Sequence, residues 1–194
     1  MSRRLDPEAP DVTGVLFNKR VEYIKKRFGQ DGVDRVFENL NGGRPKDKRL
    51  SPDSFTEHEW YPFSLLVEFT KSCALAMGGD QSAAVAKMER AIAQDIGILK
   101  FFIKWTQSPP DLAKKAGEYW HKFHKGGELE VVDFGDNTGT LRLHDYYKEP
   151  VFCNGLASYF RGLMEMSQKD VGVKHTACTS KGDKYCEYTI TWKK

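Results

Sequence analysis

Apolar residues recur at helical spacing through the first two thirds of the chain. In "TGVLFNKRVEYIKKRFGQDGVDRVFENL", Phe17, Val21, Ile24 and Phe28 share one stripe, which predicts an amphipathic helix. "NGGRPKDKRLSPDS" is polar and rich in Gly and Pro, and predicts a mobile loop at 41–54. From Phe63 to Met77 the chain is apolar on nearly all sides, the pattern of a buried helix, stopped at Gly78 and Gly79. "QSAAVAKMERAIAQDIGILKFFIKW" predicts a long amphipathic helix with Val85, Met88, Ile92, Ile96, Leu99 and Ile103 in register. Ser108, Pro109 and Pro110 form a cap and first turn for a helix carrying Leu112, Ala116, Tyr119 and Phe123, which ends at a Gly-Gly pair.

The period then shortens. "ELEVVDF" and "TLRLHDY" alternate around "GDNTG" and predict a β-hairpin. "PVFCNGLASYFRGLMEM" returns to helical spacing, with Phe152, Leu156, Phe160 and Leu163 on one face. "VGVKHTACT" and "KYCEYTITW", joined at "KGD", predict a second hairpin. The order helices, hairpin, helix, hairpin predicts an α+β fold, with a helical N-terminal half packed on a small antiparallel sheet. Residues 1–12 are expected to be a flexible tail and 13–194 a single domain.

Composition narrows the class. Of the 194 residues 40% are hydrophobic and 12% aromatic, so the chain folds around a core. The net charge of +3 is too weak to argue for nucleic acid or anionic lipid. No apolar leader opens the sequence and no apolar run is long enough to span a membrane, so the expected location is cytoplasmic. Thiols stay reduced there, and grouped cysteines more often hold metal or do chemistry than form disulfides.

Cys178 and Cys186 face each other if the last turn centres on Gly182, close enough to share one zinc ion. Cys153 lies in the first turn of the preceding helix, and His175 would complete a closed tetrahedral site. His175 and Cys178 have opposite parity on an ideal strand, so the site requires a bulge between them. The residues alone leave this open against a buried Cys153, a cross-strand thiol pair and a surface His175. His121 and His124, three apart, offer a metal or haem iron site, against the reading of a solvated helix end. Cys73 reads as a small core residue. No dinucleotide fingerprint, P-loop or nucleophile elbow is present. Aromatics crowd the helical half, and Trp105, Tyr119, Trp120 and Phe123 are the expected ligand-facing residues of a cavity.

"EPVFCNGLASYFRGLMEM" followed by "HTACTSKGDKYCEYTI" resembles the C-terminal half of the 4-vinyl-reductase-like domain of bacteriochlorophyll-synthesis proteins and phenol-sensing activators. In the phenol sensors three cysteines and a glutamate bind zinc. The resemblance places those cysteines on Cys153, Cys178 and Cys186, and His175 at the glutamate position. "GVLFNKRVEYIKKRFGQDGV" and "EWYPFSLLVEFTKSCALAMGGD" are similar to the opening helices of haem–nitric-oxide-binding domains, which share their ligand-binding fold with TRAPP transport-particle subunits. The resemblance implies a zinc-stabilised domain that binds an apolar or aromatic small molecule and signals through a protein partner, as a homodimer paired partly through its N-terminal helices. Structural zinc is the expected cofactor, with haem set aside. The alternatives are an enzyme or accessory factor in tetrapyrrole vinyl reduction, and a TRAPP-like scaffold.

Overall fold

The computed structural model describes residues 11–95, 116–146 and 148–193. The expected continuation of the third helix through Ile96, Leu99 and Ile103, and the candidate Trp105, lie outside them. The described chain begins with β1 (Asp11–Thr13), inside the stretch expected as a tail, and Val12 is fully buried. β1 pairs with β2 (Trp60–Pro62) and β3 (His124–Lys125) in a small antiparallel sheet that the sequence pattern did not predict.

Helix α1 (Val15–Leu40) carries the predicted stripe only as far as Ile24. Gly29 breaks it at φ 66° and ψ −165°, a backbone that L side chains rarely adopt. The break resets the phase. Phe28 is left exposed, and burial resumes at Val33, Val36, Phe37 and Leu40. The 41–54 segment is not featureless. It holds two 3-10 turns, and the Asn41 side chain donates to the Leu50 carbonyl and accepts from the Leu50 N–H, both at 2.8 Å.

Helices α2 (Phe63–Met77) and α3 (Gln81–Asp95) follow, and α4 (Ala116–Phe123) leads into β3. Helix α5 (Pro150–Met164) starts at the expected proline, with the Glu149 carboxylate accepting from the Val151 N–H. It lies tightly on α3, because a Cβ at Gly162 would sit 2.4 Å from the Arg90 carbonyl oxygen. The main sheet contains β4 (Glu128–Phe134), β5 (Thr138–His144), β6 (Lys169–Ala177) and β7 (Cys186–Lys193), all antiparallel in the order β4-β5-β7-β6. Both predicted hairpins are present, and β7 joins them by pairing with β5. The architecture is α+β, helices on a small antiparallel sheet. Among the described residues no helix is long and apolar enough to cross a membrane.

Candidate functional site

Two buried places carry chemistry, and α5 touches both. The first is a cavity of about 160 Å³ between the helices and the main sheet. Apolar side chains from every described helix face it, including Leu66, Ile92 and Leu156, and Ile190 of β7 closes it on the sheet side. Tyr119, Trp120 and Phe123, three of the residues singled out in the sequence, lie in its wall. Trp120 is not free to turn its N–H inward. Its Nε1 donates to the Gly126 carbonyl at 3.2 Å, and its ring stacks on His124 at 3.9 Å.

His121 and His124 do not act as a pair. Helix α4 ends at Phe123, so His121 stays on its exposed side while His124 enters β3, is buried and faces the cavity. His124 Nδ1 and the Tyr146 hydroxyl are 2.7 Å apart. Burial, reinforced by the positive charges of Arg20 and His121, pushes the His124 pKa down to about 3, so the imidazole is neutral at physiological pH. Tyr146 is likewise held neutral by burial.

Charge enters the wall at one point. Arg20 and Glu89 are both buried and form an ion pair at 2.5 Å. The second Arg20 amino group donates to the Leu16 carbonyl, and its Nε is buried without a partner. Tyr159 stands nearby with its pKa raised, first by burial and then by the Glu89 charge, which Arg20 opposes. Sequence reading gave no hint of this pair. A charged residue every few positions on a helix reads as solvated surface, and the partners are 69 residues apart.

The second place is the thiol cluster. The sulfurs of Cys153, Cys178 and Cys186 all lie within 4.8 Å of one another, each residue buried. Cys153 comes from the first turn of α5 and Cys186 opens β7. Cys178 does not face Cys186 across paired strands. It precedes a 3-10 turn (Thr179–Lys181), its N–H donates to Asp183, and Cys186 pairs with Leu143 instead. The required bulge exists, since the β6–β7 register shifts between His175 and Ala177. His175 lies outside the three-thiol group, its ring stacked on Tyr188 at 4.7 Å and its Nε2 buried without a conventional hydrogen bond. The Cys153 and Cys186 sulfurs are 3.5 Å apart, and this contact lowers the Cys186 pKa against the opposing effect of burial; His175 and Thr179 act in the same direction. The same contact raises Cys153. Cys73, buried in α2 with its pKa raised to about 12 by burial, is the inert core thiol expected.

No protein-family profile matches the sequence, and no curated protein matches it significantly. Solved structures do match in fold. An H-NOX protein from S. oneidensis in the Fe(II)NO ligation state superposes with a TM-score of 0.69 at 14% identity, covering 94% of this chain and 99% of that one. An oxygen-binding H-NOX domain related to soluble guanylate cyclases, in its oxygen complex, gives 0.67 at 10% identity, covering 94% and 95%. A structure concerned with modulating haem redox potential through porphyrin distortion gives 0.67 at 10%, covering 94% and 99%. These neighbours overturn the expectation of structural zinc with haem set aside: the cofactor chemistry named among them is iron and haem, not zinc. At such identities the likeness shows one thing, that this chain has the fold of the H-NOX proteins over nearly its whole length.

Proposed function

We propose that this chain is a small-molecule sensor domain whose ligand sits in the cavity between the helices and the sheet. The observation that carries the reading is the cavity itself, apolar over most of its wall and with a few fixed polar groups, the usual form of a small-molecule site. Its volume of about 160 Å³ suits one ring with a short substituent; a dry void of about 150 Å³ lined by Leu, Ile and Phe takes up benzene. An apolar or aromatic ligand is therefore the first reading. Occupancy would pass to a protein partner or to a second copy of the chain, paired through α1.

A second reading, haem in the same cavity, is favoured by one observation. His124 is a buried, neutral imidazole in the wall, its Nδ1 engaged by Tyr146, which leaves Nε2 as the atom to offer an iron. Haem there would supply an iron centre able to bind a diatomic gas. The cavity must widen to admit it, and this size difference sets the order of the two readings.

A thermal-shift screen of phenols, fatty acids and haemin separates them. An apolar ring-bearing ligand present at a hundred times its Kd should stabilise the protein by about 2.7 kcal/mol. Trp120→Ala should weaken that effect. Haemin binding should give a Soret band that His124→Ala shifts or abolishes. Stabilisation by none of these ligands, with no Soret band, rejects the sensor reading.

A further inference from the structure

The cavity wall is mostly apolar, and its few charges are balanced. Among the described residues that face it, Arg20 and Glu89 alone carry charge, and they neutralise each other at 2.5 Å. His124 and Tyr159, the nearby polar groups, are neutral at physiological pH. Arg20 has spent one amino group on Glu89 and the other on the Leu16 carbonyl, yet its buried Nε–H has no partner. The pair therefore lines the wall with polar groups but has no net charge to offer.

We propose that the cavity selects its occupant by charge state: it takes an un-ionised, ring-sized molecule carrying one hydrogen-bonding group, and it rejects carboxylates and ammonium ions of the same size. The Arg20–Glu89 pair is the specificity-determining element. The inference rests on the small-molecule reading above. An ionised head entering this site loses its water and gains no counter-charge, which is costly in a buried place. A carboxylate meets an arginine already matched by Glu89, and it feels the Glu89 charge as repulsion. An ammonium group meets the mirror image of the same problem. A hydroxyl or carbonyl loses far less water and can hydrogen-bond to the pair where it lines the wall.

The test uses three probes of one size, benzyl alcohol, benzoate and benzylamine, titrated calorimetrically into the full chain at neutral pH. The wild type should bind benzyl alcohol at least about tenfold tighter than either ion. Glu89→Gln leaves Arg20 unmatched, and should move the preference to benzoate by about tenfold or more. Benzoate binding to the wild type as tightly as benzyl alcohol overturns the charge-selection inference while the small-molecule reading stands. An unchanged preference in Glu89→Gln does the same. Silence from all three probes overturns both. If Glu89→Gln does not fold, the double variant Arg20→Met, Glu89→Leu decides, because it removes both charges together. It should bind toluene as the wild type does and lose the wild type's preference for benzyl alcohol over toluene. A retained preference shows that the pair does not read the ligand and overturns the proposal.

Discussion

Two aromatic-rich regions of this protein behave in opposite ways. Under α1 and α2, Phe17 stacks on Phe55 at 4.2 Å, Phe69 approaches Phe17 at 5.5 Å, and Phe37 approaches Phe69 at 5.6 Å. Three separate segments deliver these rings to each other, and together they fill the space. Between α3, α4, α5 and the sheet, Trp120, Phe152, Tyr159 and Phe160 surround a void instead. On the hollow side, one lining ring is held back from the void by its polar end. Trp120 is tied back by its N–H to Gly126 and by its stack on His124, and Tyr146 is tied to His124. A ring held at its polar end cannot swing inward to close the gap.

The sharpest way to break this contrast is to truncate one residue on each side. Phe17→Ala removes a fully buried stacked ring and should cost about 3–5 kcal/mol in urea denaturation. Leu156→Ala removes a side chain that already borders empty space, and should cost at most about 2 kcal/mol, since fewer contacts are lost. Equal costs would mean that the two regions are packed alike.

Enlargement should invert the ranking. Val36→Phe forces a ring into the filled side and should cost about 1–3 kcal/mol. Leu163→Phe places the added atoms beside the cavity and should be close to neutral, while abolishing the binding of any cavity ligand.

Acid should act on the hollow side through His124. Its pKa falls from 6.5 in the unfolded chain to about 3 in the folded one, with burial the leading cause. The unfolded state therefore binds more protons below about pH 6.5, and stability is lost as pH falls through this window. Between about pH 6 and pH 4 the wild type should lose about 1 kcal/mol per pH unit more than His124→Gln. Parallel pH profiles for the two proteins would show that His124 titrates normally and is not sealed in the wall.

Much of this fold is legible in local pattern. The run from Phe63 to Met77, the alternation of the two hairpins and Pro150 at the start of α5 are short-range signals, and each has its expected element. Local pattern fails where a tertiary fact decides. Phe28 keeps the helical period but is exposed, because Gly29 rotates the second half of α1. β1 and β2 have three residues each and no readable alternation of their own. At the site, the three cysteines stand out because thiols are rare and their spacing is informative. Arg20 and Glu89 do not, because nothing in a linear sequence separates a buried charge on a helix from an exposed one. His124 reads as a solvated helix end, since its burial depends on α4 stopping one residue earlier.

The place of β7 in the main sheet has a consequence for how the protein is made. β5 pairs with β4 on one side and with β7 on the other, and β7 spans residues 186–193. A ribosome adds about 5–20 residues per second, so β5 waits for roughly 2–10 s with one edge unpaired. During that interval the nascent chain offers an open strand edge, and the helices have no completed floor to settle on. A chain stalled just before residue 186 would expose the interior that the finished domain encloses.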